Sequence, residues 1–427
     1  MERRLQKRYL ILVHSHMRHA PKLAAGIASL PGVGSAWTCT QAAWRFLNND
    51  RVKLSALIEP LRQEGRERAN ASSAPFVMLV HDWCKLTYRH PARKRDLAQL
   101  THVTDVGYEL TMALLVCADD GSPLAPMEMH LKTGETNLST RTPAPRRVNH
   151  LEQILPTMKA SRSWGVTKPM LHVIDREADS VDHYRRWDKA GHKFLVRGDD
   201  RRVKSQGTSR LLSEIRTQLR EDRMFRQAGE ARHHGQPAQL WVAETEVVLH
   251  RPAKKNVKGK KYERAGRPLS LRFIAVQLRD ERGQMILAEW LLLTNLPVEV
   301  ASTELVAHCY YWRWKIESFF KLLKSQGLEL EQWLQETAQA IARRLLIAAM
   351  ACVVVWKLQA DESPKAVELK NVLVRLSGRL TKRSRPHTTP ALLAGLWVLL
   401  STVSLLEHYP LHKLKQLAAE IFFLDTG

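Results

Sequence analysis

Residues 170–175, Met-Leu-His-Val-Ile-Asp, form a short apolar run that ends in an acidic residue. Residues 76–82, Phe-Val-Met-Leu-Val-His-Asp, follow the same plan. A continuous apolar run of this length is typical of a strand that is buried on both faces of a sheet. The two runs therefore predict two buried strands, each of which delivers an acid at its end, Asp175 and Asp82.

The segments around these runs predict a hairpin, two helices and a third strand. The hairpin turns at residues 119–122, Asp-Asp-Gly-Ser, a sequence that favours a tight connection. The predicted elements lie at residues 108–131, 149–161, 178–190 and 193–196. Strands that alternate with helices in this order predict a mixed α/β sheet.

Composition divides the chain into three regions. Residues 1–70 predict short helices, and residues 62–73 predict a polar linker helix or loop. Residues 71–330 contain the predicted sheet. Residues 331–427 predict helices throughout, with a basic break at 378–386.

The second region contains a further change of composition. Residues 199–286 hold strand-like pieces on either side of residues 254–267, which contain seven Lys or Arg. This pattern predicts a β-rich insertion with a basic loop, which either contacts a DNA backbone or is simply solvated. An apolar strand at 286–295 and a strong helix at 302–323 follow.

The charge of the chain indicates the kind of partner it has. Its 427 residues are 44% hydrophobic, which excludes a disordered protein, and they carry a net charge of +23. So large an excess of cations is not expected of an ordinary enzyme of small molecules. It favours a polyanionic partner such as nucleic acid, although a ribosome-associated or merely basic protein would also have it.

Cysteine, histidine and apolar patterns predict a cytoplasmic chain with neither disulfides nor a membrane span. The five cysteines are scattered and form no C-x-x-C pair, which indicates reduced thiols. His14, His16 and His19 have no acid or cysteine nearby and are expected to be surface histidines. Residues 388–406 approach the length of a membrane span, but Pro390 and Gly395 favour a buried helix. No secretory signal is expected at the start.

The two strand-end acids suggest a metal site. Carboxylates at the carboxyl ends of strands can converge on one crevice, where they cannot both stay ionised without a cation. Oxygen ligands suit Mg²⁺ or Mn²⁺, and two such ions about 4 Å apart stabilise the attacking and leaving oxygens of a phosphoryl displacement. Taken singly, an Asp after a strand is more often a turn or cap residue, so each acid alone is weak evidence for such a site.

The predicted helix at 302–323 and the residues just after it carry a third acid within a polar stripe. Tyr310, Arg313, Glu317 and Lys324 are spaced by 3, 4 and 7 residues, so they fall within about 60° of one another around a helix. Lys321 joins the same face. The stripe is consistent with a solvated face of ion pairs, or with a metal ligand flanked by phosphate clamps.

These motifs together resemble a known family. Tyr310-x2-Arg313-x3-Glu317-x6-Lys324 is similar to the Y-R-E-K signature of bacterial insertion-sequence transposases of the DDE class. The resemblance is strongest to the cut-and-paste branch that works through DNA hairpins. Further similar segments are residues 41–49, 175–179 (Asp-Arg-Glu-Ala-Asp), 194–197 (Phe-Leu-Val-Arg) and 290–294 (Trp-Leu-Leu-Leu-Thr).

The resemblance implies a fold, a partner and a site. It implies a ribonuclease-H-like core with a β-rich insertion between the second and third acids. It implies that Asp82, Asp175 and Glu317 hold two Mg²⁺ or Mn²⁺ ions. The implied DNA contacts are Tyr310, Arg313, Lys321, Lys324, Arg197 and Trp290, the last stacking on a flipped base. The implied partners are the terminal inverted repeats, target DNA and a second copy of the chain, in the bacterial cytoplasm at the nucleoid.

Two alternatives stay open from the sequence. The family's first aspartate is usually followed by Thr-Thr, whereas Trp83-Cys84 follow Asp82, so Asp96 and Asp105 are rival first acids. The chain as a whole is predicted to be an active transposase. The other candidates are a catalytically silent DNA-binding relative and a structure-specific nuclease on the same fold.

Overall fold

The fold is a large mixed sheet flanked by helices. The computed structural model describes residues 1–18, 36–88, 91–102, 104–144, 149–233, 235–257, 260–286, 289–378 and 387–422. Within this part of the chain, thirteen strands form one sheet and two more form a separate hairpin. The predicted mixed α/β architecture is confirmed.

The strands and helices are numbered in chain order. The strands are β1 (Val77–Leu86), β2 (Ala98–Gln99), β3 (Val106–Cys117), β4 (Pro123–Lys132), β5 (Asn137–Ser139), β6 (Met170–Ile174), β7 (Lys193–Arg197), β8 (Arg202–Ser205), β9 (Thr208–Leu211), β10 (Arg226–His233), β11 (Gln236–Leu249), β12 (Ala253–Val257), β13 (Lys260–Arg264), β14 (Leu269–Arg279) and β15 (Trp290–Thr294). The helices are α1 (Arg3–Arg18), α2 (Ala36–Leu47), α3 (Leu54–Leu57), α4 (Glu59–Ala71), α5 (His150–Ser161), α6 (Val181–Lys189), α7 (Leu212–Glu221), α8 (Thr303–Trp312), α9 (Trp314–Lys324), α10 (Ala338–Ala360), α11 (Pro364–Leu376), α12 (Thr389–Leu406) and α13 (Leu411–Phe422).

The order of strands brings the predicted acids together. The main path of the sheet is β5-β4-β3-β1-β6-β7-β15-β14-β11-β8-β9. β1 runs antiparallel to β3 but parallel to β6, and β6 runs parallel to β7. In the β1–β6 pairing His81 is opposite Ile174. Asp82 and Asp175 are the next residues along the chain, so they lie side by side just past the last β1–β6 pair.

The prediction that Asp82 lies just past a strand is wrong. β6 ends at Ile174 as predicted, but β1 continues to Leu86 because its other neighbour, β3, pairs with it as far as Leu86 opposite Tyr108. Asp82 is therefore inside a strand whose parallel partner has already ended. One edge of the strand is open at this level, which leaves room for a site beside the carboxylate.

The two faces of the sheet are covered by different helices. α4 packs on the face that carries Met127, so closely that a Cβ on Gly65 would come within 2.7 Å of the Met127 sulfur. α5 covers the opposite face, where the Thr157 hydroxyl donates to Glu128 at 2.6 Å. Residues 62–73, predicted as a linker helix or loop, thus belong mostly to a packed helix.

The insertion is continuous with the main sheet. β11 and β14 pair with each other, and β14 joins β7 through β15. Residues 212–221 form α7, a helix that the sequence analysis did not predict. The predicted basic loop at 254–267 has the backbone of a hairpin, β12–β13, instead. Its lysine side chains at 254–261 lie outside the described residues.

The helices at the two ends of the chain pack on each other. α1, α2 and α3 contact α10, and α1 also contacts α12. The buried Arg343 of α10 donates to the carbonyl oxygens of Leu47 at 2.6 Å and Val52 at 2.9 Å. These bonds join the first region to the third across nearly 300 residues of sequence.

Among the described residues, two helices are long and apolar enough to pass for membrane spans by length and composition, but they differ in burial. α10 is a core helix, with 83% of its apolar window buried. α12 has only 33% of its window buried. The prediction of a buried helix at 388–406 holds for its first half, where Leu392 and Leu393 are buried, whereas Val403 and Leu406 are exposed. The histidines at 14, 16 and 19 and the basic break at 379–386 lie outside the described side chains.

Three buried histidines lie within the parallel strands and after α6. His81 and His172 share a hydrogen bond of 3.0 Å, and the rings of His172 and His192 are 5.4 Å apart. Burial lowers the pKa of His81 and His192 to about 4 and holds the pKa of His172 well below its ordinary value. The folded chain therefore keeps this cluster neutral.

We expect the free energy of unfolding to fall as the pH drops from about 6.5 to 4. Unfolded histidine takes up a proton near pH 6.5, so in this window the unfolded chain binds more protons than the folded chain. Each histidine contributes a slope of up to about 1.4 kcal/mol per pH unit. Burial raises the pKa of Asp82 to about 6, so this one group opposes the trend that the three histidines set.

Urea unfolding in metal-free buffer at several pH values measures this slope. His172→Leu should flatten it, whatever its effect on stability at pH 7. His102→Gln, at an exposed position, is the matched control and should leave the slope unchanged. If the free energy of unfolding had the same pH slope in the wild type, His172→Leu and His102→Gln, the histidine cluster would not be the cause of the loss of stability in acid.

Candidate active site

The helix that carries Glu317 is broken next to the site. The single helix predicted at 302–323 is two helices, α8 and α9, which meet at Arg313. There the Arg313 N–H donates to Tyr310 O at 3.1 Å, and the Ile316 N–H donates to Arg313 O at 3.2 Å. These are three-residue spacings, so the chain tightens locally into a 3₁₀ turn. The turn keeps Tyr310, Arg313 and Glu317 on the side that faces β1 and β6.

Arg313 lies between two of the predicted acids. Its Nη1 is 3.4 Å from Asp82 Oδ2, and its Nη2 donates to Glu317 Oε1 at 2.6 Å. The Arg313 side chain is only 6% exposed, whereas that of Glu317 is 41% exposed. A buried guanidinium thus links the strand that carries Asp82 to the helix that carries Glu317.

Tyr310 engages the remaining acid. Its hydroxyl donates to Asp175 Oδ1 at 3.0 Å, and its buried ring lies 5.6 Å from the Arg313 guanidinium carbon. Asp175 directly follows β6, as predicted. The structure therefore gathers Asp82, Asp175 and Glu317 around one Tyr–Arg pair.

The pKa values in this cluster reflect its burial and its charges. Burial raises the pKa of Asp82 to about 6, against the opposing effects of Arg313 and of the Trp83 N–H, while Glu317 and Asp175 raise it further. Burial also acts to raise the pKa of Asp175, but Arg313, the Arg176 N–H, Tyr310 and Arg197 together lower it. Burial acts to lower the pKa of Arg313, but Tyr310 and the three carboxylates together hold it above its ordinary value. The three acids thus need a cation, and in this state Arg313 supplies it.

The predicted cations differ in how they are placed. Arg197, at the end of β7, is close enough to Asp175 to lower its pKa. Lys324 does not point freely outward, because its Nζ donates to Lys85 O at 2.7 Å and lies 3.0 Å from Glu331 Oε1. Lys321 is exposed one turn beyond Glu317 on α9.

The rival first acids lie elsewhere. Asp96 accepts a hydrogen bond from the Tyr108 hydroxyl at 3.1 Å, and Asp105 pairs with Lys85 at 3.4 Å. Neither has a contact with Arg313 or Tyr310 among the interactions of the described residues. This geometry favours Asp82 as the first acid.

Trp290 has no open face in this structure. Its side chain is 4% exposed, with Tyr310 and Trp314 packed edge-on at centroid distances of 5.2 and 5.7 Å. The family resemblance implied that a flipped base stacks on this ring. Here the ring is part of the core next to the site, so stacking requires that its neighbours first move.

Sequence reasoning missed the residues that hold Lys324. Lys85 and Thr87 lie at the end of β1, and Glu331 lies on the short 3₁₀ turn Leu330–Gln332 after α9. Lys85 and Lys324 are 239 positions apart in the sequence, and no spacing links them. Only the packing of α9 against β1 brings them together.

The chemistry of the three acids fits a hard divalent cation. They supply only oxygen ligands, and their mutual repulsion favours added positive charge. Among the described residues no cluster of three or more Asp, Glu, His or Cys side chains is already arranged around a metal position. The arrangement explains this, because Arg313 and Tyr310 each occupy oxygen atoms that such an ion would use.

The transposase DDE domain family matches residues 127–354, more than half of the chain. The chain belongs to this family. The matched range contains Asp175, Tyr310, Arg313 and Glu317 but begins after Asp82. The assignment of the first acid in this transposase domain protein therefore depends on the geometry around Arg313.

Relatives of this transposase domain protein match over a short length. The transposase for insertion sequence element IS421 of Escherichia coli is 39% identical over 85 residues, which is 15% of this chain and 23% of that protein. The InsL protein of element IS186A, from Escherichia coli strain K12, matches with the same identity and coverage. The chain thus aligns with about a quarter of the length of these relatives.

A solved structure is similar at a lower level. It is the piggyBac transposase synaptic complex with hairpin DNA, determined by cryo-electron microscopy. The likeness covers 98% of this chain and 76% of that chain, with 11% sequence identity and a TM-score of 0.37. This score is too low to establish a common fold.

Proposed function

We propose that this chain is a DDE-type DNA transposase, which cuts DNA at the ends of its element and joins those ends to target DNA. The single observation that carries the proposal is the meeting of Asp82, Asp175 and Glu317 around Arg313 and Tyr310. The family of the chain supports the same chemistry. A net charge of +23 suits a protein that binds a polyanion.

The order of the central strands supports a ribonuclease-H-like core. β4, β3, β1, β6 and β7 are neighbours in this order, with β3 antiparallel to β1 and with β1, β6 and β7 parallel. In this proposal, residues 71–330 form the catalytic core, and β8 to β14 form the insertion between the second and third acids.

The first region is proposed to bind DNA. A groove of about 650 Å³ lies between α1 and α2, and its basic lining residues are Arg4, Lys7, Arg8, Arg45 and Arg51, with Glu2 as its acidic residue. Such a surface fits a phosphate backbone. The third region, residues 331–427, is proposed to pair two copies of the chain on DNA, because cutting two ends together needs two sites.

The site residues have separate proposed roles. Asp82, Asp175 and Glu317 would hold two Mg²⁺ or Mn²⁺ ions, which supply charge stabilisation for the attacking and leaving oxygens at phosphorus. The planar guanidinium of Arg313 has donors that can bind a phosphate at two points. If Arg313 bound a DNA phosphate in place of the carboxylates, Asp82 and Glu317 would be free to hold the ions. Tyr310, Lys321, Lys324 and Arg197 would hold the phosphates of the element's end beside it.

Each proposed step is an in-line displacement at phosphorus. Water attacks the phosphorus at the element's end, and the bond to the leaving 3′ oxygen breaks. That 3′-hydroxyl then attacks the opposite strand, which forms a hairpin and displaces the 3′ oxygen of the flanking DNA. A second water attacks the hairpin phosphorus and releases the 3′ oxygen again. The free 3′ ends then attack target DNA and displace a 3′ oxygen of the target strand. Trp290, which borders Tyr310, would receive a flipped base during hairpin formation once it is uncovered.

Labelled DNA that carries the element's own ends tests the proposal. We expect the purified chain to give nicked, hairpin and joined products with Mg²⁺, and none after chelation with EDTA. Binding without cutting in both conditions would identify a silent DNA-binding relative. Cutting without hairpin or joined products would identify a structure-specific nuclease.

A further inference from the structure

Lys324, the last residue of the Y-R-E-K stripe, is held by protein atoms on two sides. Its Nζ donates to the carbonyl oxygen of Lys85 at 2.7 Å and lies 3.0 Å from Glu331 Oε1. An ammonium has three N–H donors. One N–H is therefore donated to the Lys85 carbonyl, and the ammonium also forms an ion pair with Glu331. No other hydrogen-bond acceptor of Nζ lies among the described residues, which leaves a donor for an outside acceptor such as a phosphate oxygen.

Glu331 also binds the end of the strand that carries Asp82. Its Oε1 accepts the backbone N–H of Thr87 at 2.8 Å and the Thr87 hydroxyl at 3.1 Å. β1 ends at Leu86, so Thr87 is the first residue past the strand. The Glu331 carboxylate thus joins the end of β1 to Lys324, although these two parts of the chain are far apart in the sequence.

The turn that carries Glu331 is itself fixed. Leu330 is fully buried, and the Trp333 indole N–H, also buried, donates to Leu328 O at 2.8 Å. The Glu331 side chain is 24% exposed, so it sits in the joint between α9 and β1. Its negative charge lies against Lys324, so it would repel a bound phosphate less than a lone carboxylate would.

Two charged ties therefore connect α9 to β1. At one end Arg313 joins Asp82 to Glu317. At the other end Glu331 joins Lys324 to the strand end at Thr87. Since Asp82 lies on β1 and Glu317 lies on α9, the spacing of these two acids depends on both ties. If Arg313 turns to a phosphate, the Glu331 tie and the Lys324–Lys85 hydrogen bond remain to hold α9 against β1.

We propose that Glu331 is a positioning residue of the DNA-cleaving site, which acts through Lys324. It aims the lysine ammonium and holds α9 against β1 while the acids are in use, and it touches neither DNA nor the reacting atoms. This inference rests on the proposed function. A purely structural Glu331 would instead support the fold without any special relation to Lys324.

Single-turnover cleavage of end DNA at saturating protein tests this inference. E331A should lower the cleavage rate by about tenfold to a hundredfold, since small misplacements of a reacting group cost this much. Its dissociation constant for the end should change by less than about threefold. E331Q should recover most of the rate, because its amide oxygen can still accept from Thr87 and still faces the Lys324 ammonium. Glu336→Gln, which loses only an exposed pair with Arg95, is the matched control.

A double-mutant comparison separates positioning from plain stability. If Glu331 acts through Lys324, the K324A/E331A double variant should cut as slowly as K324A alone. Rates that multiply would overturn the proposal, as would an E331A loss that follows its change in unfolding midpoint. In the DNA-free chain, hydrogen exchange of the Thr87 amide should be faster in E331A than in the wild type.

Different results would overturn the proposed function and the role of Glu331. A wild-type chain that binds ends but cuts nothing overturns the proposed function. A wild-type chain that cuts, together with an E331A variant that cuts equally fast, overturns the role of Glu331 alone. An unchanged exchange rate at Thr87 in E331A would also overturn it, whatever the activity, because the tie itself would then be absent in solution.

Discussion

Glu317→Gln and Asp175→Asn should each abolish DNA cleavage while leaving binding to the element's ends intact. The substitutions preserve shape, since the new side-chain oxygens can still accept from Arg313 and Tyr310. They remove the charge that would hold a divalent ion, which is worth several kcal/mol in a phosphoryl transfer. We therefore expect the cleavage rate to fall on the order of 10³-fold or more.

Cleavage of labelled ends and gel-shift binding measure the two effects separately. Asp82→Asn belongs to the same experiment and should behave like the other two. Asp96→Asn and Asp105→Asn are the matched controls, since these aspartates bind Tyr108 and Lys85 and should keep near wild-type cutting. Retained cutting in a Glu317 or Asp175 variant would refute the assignment of the site. Loss in Asp96→Asn alone would move the first acid there.

The parts of this site that the sequence could predict are those set by local pattern. β6 begins and ends where the apolar run does, and Asp175 follows it, because five consecutive apolar or weakly polar residues in a central strand leave little choice of boundary. The side chains of Tyr310, Arg313 and Glu317 share a face because their spacing follows helical geometry. The 3₁₀ turn at Arg313 does not separate these side chains, because the chain rotates only slightly more per residue there than in an α-helix.

The parts that the sequence could not predict depend on distant neighbours. β1 extends to Leu86 because β3 continues beside it, and no property of residues 81–86 indicates that partner. Trp290 is covered by rings from α8 and α9, so its burial follows from tertiary packing. The bonds of Arg343 to Leu47 and Val52 likewise connect the two ends of the chain. A basic residue in an apolar helix gives no hint of which carbonyl groups it will reach.

Arg313→Met should destabilise the metal-free chain and make it more responsive to divalent metal. The guanidinium is the cation that three nearby acids share, and its loss leaves them to repel one another. Removing one partner of a buried pair costs about 3 to 5 kcal/mol. Glu317 is 41% exposed and Asp82 can take up a proton near pH 6, so we expect a smaller loss, about 2 to 4 kcal/mol.

Mn²⁺ should return much of this stability to the variant, because the oxygens that Arg313 occupied become available to the ion. An ion present at about 100 times its dissociation constant adds about 2.7 kcal/mol to the folded state. In the wild type the same ion must first displace the guanidinium, so its stabilising effect should be smaller. Urea unfolding of DNA-free protein with and without Mn²⁺ measures both quantities.

Arg176→Met is the control, since Arg176 is exposed and pairs with the exposed Asp199, and it should change stability by less than about 0.5 kcal/mol. Equal stabilisation of the wild type and the Arg313 variant by Mn²⁺ would mean that the guanidinium and the ion do not compete for the same carboxylates.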